Sequence, residues 1–174
     1  MTTTERVTLP VLLTEKEFIS SHIYLQWKST IFKAICISIM IILFYRELYE
    51  MSLFATIALS IFLLIILILA VLLGIGYRAK KEYKSNDTFQ KEATMIFNDS
   101  GYTLIRADNN HNYRKWDDLH LIRETKSGFF LYYSSQTATY IPKRCFSSAD
   151  SIAFFKDLVL NHLGSGKVAF KNTL

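Results

Sequence analysis

Acidic and histidine side chains are the first residues with which this chain could carry out chemistry, and their spacing assembles no active site. Asp117 and Asp118 are adjacent, but neighbours on a strand point to opposite faces, so the two carboxylates cannot easily share a proton or a metal. Asp favours turns, and we interpret this pair as turn or strand-edge acids. The histidines follow no metal-ligand spacing. They are His22, His111, His120 and His162.

The cysteines and glycines add no catalytic or metal-binding motif. Cys36 lies in an apolar stretch and Cys145 follows a Pro-Lys-Arg run, so neither a CxxC pair nor a Cys/His set is present. Neither a GxSxG nucleophile motif nor a phosphate-binding glycine loop occurs. We therefore predict that the protein is not an enzyme and uses no metal or cofactor. Only a pocket that gathered Asp117 or Asp118 with a histidine would favour an enzyme.

Positive charge is the remaining candidate for binding. The chain has 20 Lys and Arg against 15 Asp and Glu, a net charge of +5. Lys143 and Arg144 are adjacent, and they are the first candidates for binding an acidic group. A basic run directly follows the longest apolar stretch, where each basic residue attracts anionic lipid by about 1 kcal/mol. This run consists of Arg78, Lys80, Lys81 and Lys84. The alternative is that these residues are solvated surface charges.

The element that positions the basic run is an uncharged segment from Met51 to Tyr77. About 20 apolar residues cross the hydrocarbon core as a helix, so this segment is long enough to span a bilayer with some tilt. Positive charge gathers beside it, so we expect a lipid bilayer and no nucleic acid as partner. Ala70 and Gly74 form a small-xxx-small pair, which we expect to pack against the other apolar helix.

A shorter apolar segment at residues 31–48 is the candidate for a first transmembrane helix. Its uncharged part, Ala34 to Tyr45, is only about a dozen residues long, which is marginal for a crossing. Lys33 can extend the span by placing its ammonium at the water–lipid interface. The alternative is a re-entrant or interfacial helix.

The link between the two apolar segments predicts their topology. Only Arg46 to Glu50 separates them, so the helices must form an antiparallel hairpin. This tip has one Arg and two Glu, whereas Lys28, Lys33 and the basic run lie at the opposite end. Because positive residues stay in the cytoplasm, we expect a two-pass inner-membrane protein with both termini cytoplasmic.

Residues 1–30 are expected to form a strand followed by an amphipathic helix. Arg6 to Leu13 has the character of a short strand in which Pro10 favours an edge or a bend. Thr14 and Glu17 match a capping box that begins a helix. The first residues are polar, and the apolar residues begin too late for a signal peptide.

Residues 85–164 change to short β-type runs with turn residues between them, which indicates an antiparallel sheet that curls into a sandwich or barrel. The predicted strands are Glu92–Phe97, Tyr102–Ala107, Asn112–Trp116, Leu119–Thr125, Phe129–Ser134 and Thr139–Ile141. Trp116 is expected in the core, and Pro142 at an edge or at the end of the last strand. A capping-box pattern at Ser147 and Asp150 predicts a final helix, and residues 165–174 are expected to be a loose tail.

The order of these parts, with Trp116-Asp117-Asp118-Leu119 and with Tyr140 to Phe146 (YIPKRCF), resembles the YcxB-like family of small bacterial membrane proteins. The resemblance covers Phe89 to Leu163 and, more loosely, the two apolar segments. It implies a C-terminal domain similar to pleckstrin-homology (PH) folds: a bent, seven-stranded antiparallel sandwich or barrel capped by a C-terminal helix. Six strands follow the apolar segments, so Arg6 to Leu13 is expected to supply the seventh. No catalytic residue comes with the resemblance.

These features predict a membrane α-helical hairpin joined to an α+β domain. The first function hypothesis is a non-enzymatic inner-membrane protein whose cytoplasmic PH-like domain binds a protein partner or an anionic lipid headgroup. The alternative hypothesis is a membrane-embedded immunity protein that neutralises a membrane-acting toxin, and it depends on size and topology alone. Self-association into a homo-oligomer stays open.

Overall fold

The computed structural model describes residues 6–49, 52–106, 108 and 110–170, with the backbone alone for residues 46–49 and 53. The predicted hairpin tip therefore lies largely outside the described side chains. The chain divides into two compact units. The helical unit comprises Phe18–Glu82, and the β unit comprises the residues up to Glu17 together with those from Tyr83 onward.

Two long helices run through the helical unit, α1 (Glu15–Tyr49) and α2 (Leu53–Ser85). Each is long and apolar enough to cross a membrane, since 33 to 35 residues at 1.5 Å per residue exceed the roughly 30 Å of a hydrocarbon core. The most apolar window of α2 has no residue buried inside the structure, as expected for a surface that contacts lipid. The predicted amphipathic helix and the first apolar segment form one continuous helix.

Small residues on α1 occupy buried positions within the helical unit. The small residues on α2 that were predicted to pack against the other helix, Ala70 and Gly74, do not. Thr30, Ala34 and Ser38 recur every four residues and are buried. Gly74 has open space where a side chain would begin, and Ala70 is exposed. The prediction that Ala70 and Gly74 pack against the other helix is therefore wrong, because the buried positions of α2 near its end lie on another side of the helix.

The first sheet of the β unit contains strands from both sides of the helices. Its strands are β1 (Val7–Val11), β2 (Ala93–Asn98), β3 (Gly101–Ile105) and β4 (His111–Lys115), antiparallel in that order. β1 pairs with β2 from Val7↔Phe97 to Val11↔Ala93. The prediction that the N-terminal segment supplies a strand is confirmed. At the β2–β3 turn Gly101 has φ +152°, and the carbonyl oxygen of Arg114 occupies the place of a Cβ.

The second sheet has the order β7-β6-β5-β8. Its strands are β5 (Leu121–Glu124), β6 (Gly128–Tyr132), β7 (Ala138–Pro142) and β8 (Val168–Ala169). Pro142 ends the edge strand β7, as predicted. Residues 165–170 correct the prediction of a loose tail, because a 3-10 turn and β8 follow the last helix and β8 pairs in parallel with β5. Residues 171–174 lie outside the described residues.

The final helix, α3 (Ala149–Leu163), begins one residue later than the predicted capping box. Ser148 caps the helix by accepting a hydrogen bond from the backbone N–H of Ser151, and the Ser151 side chain accepts one from the Ser148 backbone in return. Serine at both positions therefore does what Ser147 and Asp150 were expected to do. Short 3-10 turns lie at Asp87–Gln90, Trp116–Asp118, Lys143–Cys145 and Ser165–Lys167.

The core of the β unit is aromatic and lies where residues of both sheets meet α3. Phe97, Phe129 and Phe155 are fully buried, with ring centroids of Phe155 at 5.0 Å from Phe97 and 5.2 Å from Phe129. Trp116 is buried beside Phe97, and its indole N–H donates to the Asn98 carbonyl at 3.0 Å. Burial of each large ring contributes about 2 kcal/mol. Two helices, two sheets and a C-terminal helix confirm the predicted helices plus α+β domain.

Candidate functional site

Lys143, one of the predicted binding residues, forms an ion pair with a buried carboxylate. Its Nζ lies 2.6 Å from Oε1 of Glu124, while Nζ of Lys156 lies 2.8 Å from Oε2. The Glu124 side chain is 2% exposed. It is buried because β5 alternates, so Glu124 follows Ile122 on the inward face. Two ammonium groups on one carboxylate join β5, the turn after β7 and α3.

Aromatic rings complete the surroundings of this ion triad. The Lys143 ammonium lies 5.7 Å from the centre of the Phe129 ring, and the Lys156 ammonium lies 5.4 Å from that of Phe170. Such cation–π contacts add to the attraction of the carboxylate. An anionic ligand would have to compete with Glu124 for Lys143. The binding role of Lys143 stays a prediction, and its position in the fold is that of a structural residue.

Arg144, the second predicted residue, forms a two-pronged ion pair with Glu17. Its Nε donates to Oε1 at 2.8 Å and its Nη2 to Oε2 at 2.7 Å, and Nη2 also donates to the Leu12 carbonyl. Bidentate pairing of this type is among the stronger charge-assisted contacts. The hydrogen bond from Arg144, together with those from Thr14, lowers the pKa of Glu17 to about 2, although burial opposes the shift. The same bond raises the pKa of Arg144.

Neighbouring contacts fix the segments that lead into α1 and out of α2. The Tyr83 hydroxyl donates to the Leu13 carbonyl at 2.9 Å. The Gln90 amide donates to the Tyr83 carbonyl at 3.0 Å, and so caps the end of α2. Arg144 is thus one of several groups that hold the two helix ends within the β unit. Its binding role also stays a prediction.

The remaining predicted binding residues lie on the last turns of α2. Arg78, Lys80, Lys81 and Lys84 are all exposed. At 100° per residue they occupy less than half of the helix circumference, so their charges add on one side. This arrangement suits contact with an anionic surface, and no observation on the described residues assigns a specific ligand to it.

Within the described part of the chain, the acids and cysteines that could have indicated an enzyme do not gather into a site. Asp118 accepts the Lys115 backbone N–H at 3.1 Å and closes the 3-10 turn, which matches the turn role predicted for it. Burial raises the pKa of the Cys145 thiol, which disfavours the reactive thiolate. Across residues 6–49, 52–106, 108 and 110–170, no group of three or more His, Cys, Asp or Glu is placed to hold a metal.

A cavity that the sequence did not predict lies between the two sheets of the β unit, and its volume is about 120 Å³. It is lined by Tyr102, Leu104, Arg106, Asn112, Arg114, Tyr133 and Thr139. Residues on β3 and β4 enter it from one face of the first sheet, because Tyr102 pairs with Arg114 and Leu104 with Asn112. In the described part of the chain, no carboxylate forms an ion pair with Arg106 or Arg114.

Hydroxyl groups from both sheets form a chain along the wall of this cavity. The buried Tyr102 hydroxyl donates to Tyr133 at 2.6 Å, and Tyr133 shares a hydrogen bond with Thr139 Oγ1. The guanidinium of Arg114 lies 4.7 Å from the centre of the Tyr133 ring. Burial is the main cause that raises the pKa of Tyr102, so its phenol stays protonated and donates. The cavity therefore combines two cations with hydroxyl and amide groups.

Alternation along the strands is the signal that could have revealed these arginines. In the predicted strand from Tyr102, the inward positions are Tyr102, Leu104 and Arg106. A cation at an inward position requires either an internal partner or a functional reason. The sequence alone does not show which sheet faces this strand, so the contribution of Tyr133 and Thr139 could not be predicted.

The comparisons with known proteins match the region that contains this cavity. The sequence model of the family described as YcxB-like protein matches residues 97–159. A relative from Bacillus subtilis (strain 168), named Uncharacterized protein YcxB, is 26% identical over 121 residues, which are 70% of this chain and 65% of the relative. The match thus covers less than two thirds of that relative. No solved structure matches the chain.

The matched segment runs from β2 through β7 into α3, and so includes most of both sheets. It also contains every residue that lines the cavity. The resemblance predicted from the sequence is confirmed over residues 97–159, which match the model of the YcxB-like family.

Proposed function

We propose that this chain is a non-enzymatic, two-pass protein of the cell inner membrane, in which both termini are cytoplasmic. Its two helices hold the β unit at the cytoplasmic surface, and the β unit binds an anionic group there. The basic run at the end of α2 contacts anionic lipid headgroups at the same surface. Two helices long and apolar enough to span a membrane support the anchoring part of this proposal.

The pairing of β1 with β2 is the observation that carries the proposal. β1 precedes α1 and β2 follows α2, yet the two strands are antiparallel neighbours along all five residues of β1. A hydrogen-bonded sheet lies on one side of a membrane, because its ladder cannot continue through the bilayer as an open sheet. We therefore infer that the chain between β1 and β2 crosses the membrane an even number of times. One crossing by each helix satisfies this requirement.

Charge supports the cytoplasmic side. The basic run on α2 lies at the helix end that joins the β unit along the chain, and Lys28 lies nearer to that end of α1 than to the other, whereas Lys33 lies at the middle of α1. The end of α1 and the link that follows it contain Arg46, Glu47 and Glu50 and have no excess of positive charge. By the positive-inside rule, this distribution supports a cytoplasmic β unit.

We further propose that the β unit has a PH-like fold. Support comes from its order of elements: four antiparallel strands in one sheet, three more antiparallel strands in a second sheet, and a helix after β7. In this reading the helical hairpin is an insertion between the first and second strands, and β8 is an addition.

Reporter fusions test this topology in cells. Alkaline phosphatase, which is active only outside the cytoplasm, is fused after Leu174 in one strain and inserted after Glu50 in another. We expect an inactive fusion at Leu174 and an active one at Glu50, because the chain is expected to cross the bilayer once on each side of the link. Activity at Leu174 would contradict the proposal.

A variant with redistributed charge tests whether positive charge sets the orientation. It carries Lys80→Gln, Lys81→Gln and Lys84→Gln together with Glu47→Lys and Glu50→Lys. If positive charge sets the orientation, phosphatase activity of the Glu50 insertion falls in this variant. Unchanged activity would show that another feature determines the orientation.

A further inference from the structure

We propose that the cavity lined by Arg106 and Arg114 is a binding site for a phosphate monoester group. This inference deepens the proposed function by naming a site and a ligand class. It rests on that function in one respect only, since a membrane headgroup reaches the cavity only if the β unit is held at the membrane. The ligand chemistry is the same for a lipid phosphate and for a free one.

The donors around the cavity suit an oxyanion. Arg106, Arg114, Asn112 and Thr139 line one space, and their side chains carry guanidinium, amide and hydroxyl groups. Tyr102 donates to Tyr133, so the Tyr133 proton is available for Thr139, and the Thr139 proton is then left for a ligand. Arginine presents several N–H groups in a planar fork that matches phosphate oxygens.

The size of the cavity limits the ligand. A volume of about 120 Å³ compares with roughly 30 Å³ for each water molecule in the liquid. The space is large enough for a single phosphate group. Asn112 and Arg114 are exposed, so the cavity is open to solvent and the rest of a phosphorylated molecule can remain outside.

The charge favours a phosphate monoester over a carboxylate. A monoester carries about −1.5 to −2 charges at neutral pH, which matches two guanidinium groups that have no carboxylate partner among the described residues. Asp118 is close enough for its charge to contribute to the raised pKa of Tyr102. It accepts a backbone N–H of β4 instead and does not line the cavity.

The register of the first sheet places Arg106 at the end of the sheet that is connected to the two long helices. Val11 pairs with Ala93, and in the same region of the sheet Thr94 pairs with Ile105 and Ile105 with His111. Arg106 continues β3 beyond Ile105. This is the end of the sheet at which the chain leaves for α1 and returns from α2. In the proposed topology, a headgroup is therefore a reachable source of the phosphate.

The test uses the full-length chain in phosphatidylcholine nanodiscs and isothermal titration calorimetry. Inorganic phosphate and glycerol 3-phosphate are the soluble probes, and acetate is the carboxylate probe. In a second arm, a third of the lipid is replaced by phosphatidic acid, a lipid monoester, or by phosphatidylglycerol, a diester. We expect the soluble monoester to bind more tightly than acetate, and phosphatidic acid, unlike phosphatidylglycerol, to compete with it if a headgroup is the source.

Variants locate the site. Arg106→Gln with Arg114→Gln is expected to weaken monoester binding by at least about tenfold, since each loss removes a charge-assisted hydrogen bond. Thr139→Val keeps the side-chain shape and is expected to weaken binding about threefold to tenfold. The matched control is Arg6→Gln with Lys126→Gln, which removes two exposed cations of the β unit outside the cavity and is expected to change affinity by less than about twofold.

The outcomes separate the site from the topology. Soluble monoester binding that the arginine variants abolish supports the site even if the phosphatase fusions contradict the proposed orientation. Competition by phosphatidic acid assigns a headgroup as the source, and its absence assigns a free phosphate ester. Equal binding by wild type and the arginine variants, tighter binding of acetate, or no binding of any phosphate probe would overturn the inference.

Discussion

Two pairs of basic residues in the β unit differ in what lies opposite them. Lys143 and Arg144 face Glu124 and Glu17 at hydrogen-bonding distance. Arg106 and Arg114 line a cavity in which, among the described residues, no carboxylate forms an ion pair with them. The first pair joins elements of the fold, and the second is the pair that we propose to bind a ligand.

This difference shows why the position of a cation matters more than its exposure. Arg144 is exposed, yet its guanidinium is bound to Glu17 and the Leu12 carbonyl. Arg106 is only half-exposed, yet its charge is uncompensated by a nearby carboxylate within the described chain. Unfolding free energies can separate the structural pair from the pair that is proposed to bind a ligand.

The largest effect is expected from Glu124→Gln. It leaves Lys143 and Lys156 without a carboxylate in a partly buried place, and such a loss costs about 3 kcal/mol. The free energy of unfolding is measured with urea from the fluorescence of Trp116, in a Trp27→Phe background. The control is Glu92→Gln, which removes an exposed carboxylate of the β unit. It is expected to change the free energy of unfolding by less than about 0.5 kcal/mol.

A triple variant shows whether the ion triad of Glu124, Lys143 and Lys156 stabilises the fold through its charges or through its packing. Glu124→Leu with Lys143→Met and Lys156→Met removes all three charges and keeps similar volumes. It is expected to recover most of the loss, because apolar residues can replace a buried ion cluster. A triple variant as unstable as Glu124→Gln would contradict the account of Lys143 as a partner of Glu124.

A smaller effect, dependent on pH, is expected from the pair of Glu17 and Arg144. The pKa of Glu17 is about 2 in the folded chain against a usual value near 4.5, so the folded state favours the carboxylate. The contribution is fully present above pH 4.5 and is lost as pH falls from about 4.5 through about 2. Because both side chains are partly exposed, it is about 1 kcal/mol or less.

Urea titrations of wild type and Glu17→Gln measure this contribution as their difference in unfolding free energy. The difference is expected at pH 7 and should shrink toward zero at the acid end of the window. In an Arg144→Gln background, Glu17→Gln is expected to have almost no further effect. A difference that stays constant from pH 7 to the acid limit would show that the pair does not act through ionised Glu17.

The residues that the sequence predicted well are those whose role follows from local pattern. The uncharged run from Met51 to Tyr77 predicts a long apolar helix by length and composition alone. The Thr14–Glu17 capping box begins α1 as predicted, because its hydrogen bonds span only three residues. Turn residues separated the strands from β2 to β7 in the same way, whereas β8 was not predicted.

The residues that the sequence did not explain depend on distant partners. Glu17 and Arg144 are separated by 127 positions. The ion triad joins Glu124 at the end of β5 to Lys143 after β7 and to Lys156 on α3. Tyr102 and Tyr133 meet only because the two sheets face each other. Local pattern shows that Lys143 and Arg144 are charged and adjacent, and it contains no information on which carboxylates the fold brings to them.

The smallest effect on stability is expected from Arg106→Gln and Arg114→Gln, and it is the sharpest test of the comparison. Arg106 lacks a carboxylate partner among the described residues, so its loss should change the unfolding free energy by less than about 0.5 kcal/mol. Arg114 also loses its contact with the Tyr133 ring, which is worth about 0.5–1 kcal/mol. Urea unfolding of both variants beside Glu124→Gln measures the contrast. If either arginine stabilised the fold as much as Glu124 does, its charge would be structural, and the distinction between the two basic pairs would fail.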